Sequence, residues 1–295
     1  MSFSHLHVAS AYSLRHGVSS PQDLVARAVE LDLPALALTD RDGLYGAVRF
    51  MQACLTQGLS GILGVDLALA EPEEPRRTPA RGGTWKDTRA PRIVLLARGG
   101  RGWAALSRLV SGAHIAGDRG DPRVNWDLLE EFVVPGDLQV LLGPDSPVGR
   151  AISRHRFDLA DRLLDRWRYV AGDNLYLEVV SHRTPPRTPG EQRPAPDLST
   201  PTARRTWTYA LERGIPAVLT NAVRYCHPRQ AATADLLDAI RRLVPLNSRH
   251  LDRENSAGYL APAAHMHDIA DQIAGDRAGK LLGQTEQLAT ECVLN

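Results

Sequence analysis

Short apolar runs rich in β-forming residues recur along the chain and predict strands. Segments with helical spacing of apolar residues lie between most of these runs. The clearest is PQDLVARAVEL at residues 21–31, where Leu24, Val25 and Ala28 share one face. The seven predicted strands are residues 6–9, 35–39, 62–69, 93–97, 138–142, 175–180 and 217–220. The other predicted helices are residues 44–55, 103–109, 151–167, 202–213 and 231–243.

The alternation of strands and helices predicts an α/β fold. Strands separated by helices form a parallel sheet that is either doubly wound or closed as a barrel, and seven strands favour a closed or nearly closed barrel. Ligands of such barrels bind where the strands run into loops at their carboxyl ends. We therefore expect a barrel domain over residues 1–245. After residue 245 the chain becomes polar and irregular, which predicts a short C-terminal helical extension over residues 246–295.

The composition narrows the class of protein. The 295 residues are 43% hydrophobic and 23% charged, which is typical of a soluble globular protein. A net charge of +1 argues against an autonomous nucleic-acid binder. Three cysteines without a C-x-x-C spacing argue against a disulfide framework or a zinc ribbon and favour a reducing cytoplasm. No signal peptide and no run of 18 apolar residues is present, so we expect neither export nor a membrane span.

Two histidines near the N-terminus form the first candidate site. His5 and His7 are separated by one residue on a predicted strand, so both imidazoles should project from the same face. Neighbouring neutral imidazoles bind divalent metals, although histidine pairs that bind nothing are as common an explanation. Polar residues also occur near the ends of later predicted strands, at residues 39–43, Asp66 and His182. Barrel geometry would bring these side chains to one shared site.

Five sequence blocks together resemble a known family. FSHLHVASAYSLRHG is similar to its opening H-x-H followed by Y-S-L-x-D-G, and LPALALTDRDGLYGAVRF is similar to its T-D-H-G-N block. GILGVDL, NLYLEVVSH and GIPAVLTNAVRYCHP resemble its G-x-E, Y-L-E-x-x-x-H and T-N-D-V-H-Y blocks. The family is the polymerase and histidinol phosphatase (PHP) domain, in the form found in bacterial C-family DNA polymerases, the DNA polymerase III alpha subunit. PLNSRHLDRENSAGYL and the arginines described below resemble the error-prone branch.

The resemblance implies a distorted (βα)7 TIM-like barrel of the PHP type with a metal cluster at the strand ends. In active members the cluster hydrolyses phosphoesters, and some polymerases use the domain as a proofreading 3′–5′ exonuclease. The cations there lower the pKa of a bound water and offset the charge that grows on the phosphate oxygens. On this resemblance, residues 246–295 are either the helical extension or a junction to a polymerase core that the chain lacks.

Several ligand positions implied by the resemblance keep residues that bind metals. His5, His7 and His182 match ligands of the family. Asp66 stands where the family has glutamate, and His16 stands where it has aspartate. All five side chains are of types that bind zinc or manganese. Without His16, the other four could still hold a single zinc ion.

Four other ligand positions carry residues that cannot bind a metal, namely Arg41, Pro144, Ala222 and Arg224. A guanidinium group stays protonated and has no lone pair to donate. Two unit charges about 4 Å apart repel by about 4 kcal/mol at an effective dielectric of about 20, so each nearby arginine opposes a bound cation. We expect Arg41 and Arg224 to fill the space of the cations and to pair with Asp40 or Asp66.

The sequence therefore predicts a PHP domain of a DNA polymerase III alpha-type protein, in DNA replication or translesion repair, that acts as a structural and interaction module. Its metal site is expected to be degenerate, with no cofactor or one zinc or manganese ion, and its phosphoesterase activity lost. Expected partners are a DNA polymerase core or other replication and repair subunits, with DNA contacted only indirectly and no membrane. The alternative is a free-standing metal-dependent phosphoesterase of nucleotides or small phosphate esters, which needs metal at His5, His7, His16, Asp66 and His182.

Overall fold

A curled six-stranded sheet forms the centre of the fold. The computed structural model describes residues 2–70, 90–117, 120–133, 137–186, 196–247 and 254–294. The strands are hydrogen-bonded to one another in chain order, and nearly all of their residues are buried, as expected for a sheet covered by helices. They are β1 (Ala35–Leu38), β2 (Ser60–Ala68), β3 (Arg92–Ala97), β4 (Leu138–Leu142), β5 (Leu175–Val180) and β6 (Ala217–Thr220).

The N-terminal segment lies between the two edges of this sheet. The carbonyl groups of His5 and Val8 accept hydrogen bonds from the backbone N–H groups of Ala37 in β1 and Thr39 just after it. The same segment exchanges two backbone hydrogen bonds with Val223, which follows β6. These pairs are isolated bridges, so the regular strand predicted at residues 6–9 is an irregular segment in the predicted place. The predicted distorted barrel is confirmed, with six regular strands and this segment closing it.

One strand departs from the predicted parallel sheet. β3 runs antiparallel to both β2 and β4, while the pairs β1–β2, β4–β5 and β5–β6 are parallel. A parallel pair needs a crossover connection, usually a helix. The sequence between β2 and β3 has no helical periodicity, so the rule that predicted parallel strands did not apply there. Most of that connection, residues 71–89, lies outside the described residues.

Ten α-helices surround or cap the sheet in the described part of the chain, namely α1 (Pro21–Glu30), α2 (Ala47–Gln57), α3 (Gly99–Ala116), α4 (Trp126–Phe132), α5 (Pro147–Ser153), α6 (Phe157–Ala171), α7 (Thr200–Glu212), α8 (Ala231–Arg242), α9 (Ala263–Ala274) and α10 (Ala278–Cys292). The helix predicted at 151–167 is two helices, because His155 between them has a positive φ of 57° that ends the first. The seven-residue α4 was not predicted. Among the described residues, every helix is too short or too polar to traverse a lipid bilayer.

Helix α10 covers the end of the barrel interior. Its residues Leu288, Ala289 and Cys292 are buried against inward-facing residues of several strands, including Ile62 and Val218. Backbone and side-chain hydrogen bonds also join it and the residues after it to β2 and β6. The described part of residues 246–295 therefore packs directly on the barrel. The division at residue 245 stays a prediction.

Thr285 provides a test of how strongly α10 is held. Its Oγ1 accepts a hydrogen bond of 2.9 Å from the backbone N–H of Leu219 in β6 and donates one of 2.9 Å to Leu281. Thr285→Val keeps the shape but leaves a buried N–H without a partner, which should lower the free energy of unfolding by about 1–3 kcal/mol in urea denaturation. Thr290→Val is the matched control, because the exposed Thr290 hydroxyl bonds only within its own helix. Equal effects of the two substitutions would contradict this account.

Candidate functional site

A cavity of about 550 Å³ opens where the strands run into their loops. Among the predicted site residues, its wall contains His7, His16, Arg41, Asp66, Pro144, His182, Ala222 and Arg224. They come together because β1, β4, β5 and β6 are parallel and end at the same rim. Since β3 runs the other way, its first residue, Arg92, also lies at this rim. Arg92 is not among the predicted site residues, because the predicted strand begins at residue 93 and was expected to run parallel to its neighbours.

The centre of the site is a carboxylate held between two arginines. Arg41 Nε donates to Asp66 Oδ2 at 2.9 Å, and Arg92 Nε donates to Asp66 Oδ1 at 2.8 Å. Arg92 also donates to the side chain of Asp42 at 2.9 Å and to the backbone carbonyl of Asp66 at 2.8 Å. The Asp66 side chain is only 3% exposed. Both of its oxygens are thus occupied by guanidinium groups.

Asp66 and Arg92 stabilise each other's charged forms. Burial alone would raise the pKa of Asp66, but the charges of Arg92 and Arg41 outweigh it and hold the pKa below its usual value. Burial would likewise lower the pKa of Arg92, but Asp66 and Asp42 raise it above the ordinary arginine value. Asp66 therefore stays ionised at neutral pH, paired on both sides.

His7 forms a second ion pair beside the first. Its Nδ1 lies 2.7 Å from Glu178 Oε1, and its Nε2 lies 4.0 Å from Asp66 Oδ2. Burial opposes a charge on His7, but Glu178 and then Asp66 raise the pKa of the imidazole above its usual value. The same Glu178 oxygen accepts a hydrogen bond of 2.5 Å from Thr220. Glu178 was not singled out from the sequence, although an acidic residue inside an apolar strand is a signal of a buried ionic contact.

The other histidines are held in different ways. His5 does not belong to the cavity wall described here, and its Nε2 lies 2.9 Å from the carbonyl oxygen of Ala261. His182 lines the cavity, and its Nε2 lies 2.9 Å from the carbonyl oxygen of Asn221. Burial lowers the pKa of both imidazoles to about 4. His5 and His7 thus differ in environment, contrary to the shared face expected of a regular strand.

His16 lies among cationic groups. It lines the cavity, and burial together with the charges of Arg41 and Arg224 holds its pKa well below the usual histidine value. Its Nδ1 is buried and makes no hydrogen bond within the described residues. His16 is therefore a neutral imidazole in a positively charged neighbourhood, which is an unfavourable place for a metal cation.

The predicted pairing of Arg224 and Asp40 is wrong. Arg224 makes a two-pronged ion pair with Asp238 of α8, at 2.8 and 3.0 Å, and donates to the backbone carbonyl of His16. Asp40 instead accepts hydrogen bonds from the backbone and hydroxyl of Ser10 and from the hydroxyl of Ser13. The serines satisfy Asp40 locally, so it has no need of a guanidinium partner. Asp238 is 14 residues from Arg224, in helix α8, and no local motif in the sequence indicates the pair.

The histidine and carboxylate side chains predicted as metal ligands do not fit a metal ion in the arrangement observed. No group of three or more His, Cys, Asp or Glu side chains in the described ranges is placed to hold one. The oxygens of Asp66 are taken by Arg41 and Arg92, and His7 is taken by Glu178. A cation at this point would also meet two fixed positive charges.

Comparisons with known proteins agree with this architecture. The family model of the PHP domain matches residues 5–182, more than half of the chain. The chain belongs to the PHP domain family. The resemblance stated from the sequence blocks is confirmed by this match.

The relatives of this PHP domain are bacterial DNA polymerases. The error-prone DNA polymerase of Mycolicibacterium paratuberculosis is 32% identical over 271 residues, covering 90% of this chain and 22% of the relative. The DNA polymerase III subunit alpha of Xylella fastidiosa is 33% identical over 240 residues, covering 76% of this chain and 18% of the relative. The chain thus spans about a fifth of the length of these curated relatives.

A solved structure of an amidohydrolase from Chromobacterium violaceum is also similar, with a TM-score of 0.44 and 16% identity, covering 75% of this PHP domain and 87% of that protein.

Removing the carboxylate of Asp66 should destabilise the folded protein. Asp66→Asn leaves Arg41 without its ion pair and Arg92 with only Asp42, so we expect the free energy of unfolding to fall by about 3–5 kcal/mol in chemical denaturation. Asp158→Asn is the control, because Asp158 pairs with Arg156 on the open surface and its loss should have little effect. A small effect at Asp66 would show that the two arginines do not depend on it.

The buried histidines should make stability depend on pH. The pKa of His5 and His182 is about 4 in the folded protein, below the ordinary value of 6.5. At these two sites the unfolded chain therefore binds more protons below pH 6.5, so their contribution to stability is complete above pH 6.5 and is lost as the pH falls towards 4. Each histidine contributes a slope of up to about 1.4 kcal/mol per pH unit. His182→Asn should reduce the slope of unfolding free energy against pH, whereas the exposed His155→Asn should not.

Proposed function

We propose that this chain is a PHP module of a DNA polymerase III alpha-type protein, serving replication or translesion repair, whose role is structural and interactive and not hydrolytic. The observation that carries the proposal is the placement of Asp66 between Arg41 and Arg92. The relationship to error-prone and replicative alpha-type polymerases supports the polymerase context.

The arginines supply the electrostatic part of what cations would do. Each guanidinium neutralises a buried carboxylate charge and provides directed hydrogen bonds, so the fold around the cavity keeps its shape. A guanidinium cannot accept a water molecule as a ligand or lower the pKa of one by coordination, so the means of generating a nucleophile is lost. On this proposal the cavity is a structural element of the module.

A metal-dependent phosphoesterase is the second candidate. It is favoured by one observation, namely that His7, Glu178 and His182 line the same cavity as Asp66. Binding a metal there would require Arg41 and Arg92 to leave Asp66, exposing two buried charges to an incoming cation. That energetic cost is why the structural role is preferred.

Metal content and turnover separate the two candidates. The purified chain is dialysed against Zn²⁺ or Mn²⁺, its bound metal is measured by mass spectrometry, and turnover is assayed with p-nitrophenyl phosphate and with 3′-labelled single-stranded DNA. We expect less than one metal per chain and turnover no higher than that of His7→Ala. Stoichiometric metal together with turnover, both lost in His7→Ala, would establish the phosphoesterase instead.

A single substitution should move the site towards metal binding. Arg41→His removes one of the positive charges beside Asp66 and adds an imidazole, so we expect zinc affinity to rise at least about tenfold, measured by competition with a chromophoric chelator. Arg156→His on the open surface is the control and should leave the affinity unchanged. An unchanged affinity in Arg41→His would show that Arg41 is not what excludes the metal.

A further inference from the structure

Helix α8 turns large aliphatic side chains outward and two charged side chains inward, beside three buried alanines. Leu236 and Ile240 in the helix and Leu243 just after it are 49%, 47% and 79% exposed. Asp238 and Arg242 on the same helix are 0% and 3% exposed. A helix on the surface of a soluble protein normally turns its apolar residues to the core and its charges to water. We call the outward stripe of Leu236, Ile240, Leu243 and Leu246 the α8 face, and Leu246 is 55% exposed.

The charged side of α8 is fixed to the barrel by ion pairs. Asp238 accepts two hydrogen bonds from Arg224, at 2.8 and 3.0 Å, and one from Arg241 at 2.8 Å. Arg224 in turn donates to the backbone carbonyl of His16. Rolling the helix to bury its leucines would pull Asp238 away from Arg224, which lies outside α8, and leave two buried charges unpaired. The α8 face is therefore a rigid, preformed surface.

The chemistry of this surface indicates its kind of partner. The exposed residues of α8 and of the five residues after it are Ala232, Thr233, Leu236, Ile240, Leu243, Pro245, Leu246 and Asn247, none of which is charged. A nucleic-acid backbone is recognised mainly by lysine and arginine, so an uncharged aliphatic stripe does not suit it. An apolar protein surface suits this stripe, because the cores of protein interfaces are depleted of charged residues.

The size of the surface indicates how the partner is held. The stripe from Leu236 to Leu243 is about 10 Å long at about 1.5 Å per helical residue. A patch of that length and one helix wide covers on the order of 100–200 Å², far below the ~800 Å² per partner of a stable interface between separate proteins. Such a patch is useful as one part of a larger contact, or where the partner is tethered and its effective concentration is high.

We propose that the α8 face docks an uncharged apolar surface of a C-family DNA polymerase core. The inference rests on the proposed function, which places this module with such a core. The relatives support this occupant over a second copy, because their matched segment is about a fifth of a much longer polypeptide that can hold its parts together.

Site-specific photo-cross-linking in cells tests the proposal on the natural gene, whatever its full length. Ile240→p-benzoylphenylalanine is introduced, and cross-linked peptides are identified by mass spectrometry. We expect peptides of C-family polymerase sequence outside the PHP domain, in the same chain or another, and at least tenfold less of them when Leu236→Glu is added. The control positions are Ile115 and Tyr169, 86% and 81% exposed on α3 and α6, which should not give the same peptides.

The remaining outcomes overturn the inference in distinguishable ways. Cross-links from Ile240 to a second copy of the PHP domain, with a dimer in sedimentation that Ile240→Glu abolishes, would assign the face to self-association. Polymerase peptides from Ile115 or Tyr169 but not from Ile240 would leave the proposed function standing and remove α8 from it. No polymerase peptide from any of the three positions would count against the proposed function as well.

Discussion

A buried carboxylate that needs positive partners determines the arrangement of the whole site. Asp66 has a side chain only 3% exposed, and an ionised carboxylate in that environment is stable only when it is paired. Arg41 and Arg92 approach it from two sides, each taking one oxygen. Arg92 can do so because β3 is reversed and begins where the neighbouring parallel strands end. The antiparallel strand β3 thus supplies one of the two arginines that pair with Asp66.

The same constraint extends from the cavity to the surface of the protein. Arg224, in the cavity wall, has Asp238 of α8 as its carboxylate partner. The pair is buried, with side-chain exposures of 11% and 0%, so the helix must keep its charged side inward. The apolar residues of α8 are left outside as a result. The exposed hydrophobic stripe is therefore linked, through one ion pair, to Arg224 in the cavity wall.

The sequence was sufficient for the strands, most of the helices and several residues of the cavity wall, but not for Arg92 and Glu178. The apolar runs located β1 to β6, and the strand-end rule brought His7, Asp66 and His182 to one rim. Contacts between distant segments were not accessible to the same reasoning. Nothing in the local pattern ties Arg224 to Asp238, and Arg92 lay just outside the strand predicted at residues 93–97. Hydrophobic periodicity and secondary-structure propensity describe one helix or strand at a time. The pairing of charges depends on how separate helices and strands pack against one another.

The energetics of buried charges also explain why a site of this kind keeps so many ionisable groups. Replacing a whole buried ionic cluster with apolar side chains can be neutral or stabilising, but removing one charge alone costs about 3–5 kcal/mol. A series of single substitutions that replaces the cluster with apolar side chains would include intermediates with an unpaired buried charge. In this chain Asp66 is paired with Arg41 and Glu178 with His7, so each of these buried carboxylates has a cationic partner. On the proposed function, these pairs preserve the fold without generating a metal-bound water for hydrolysis.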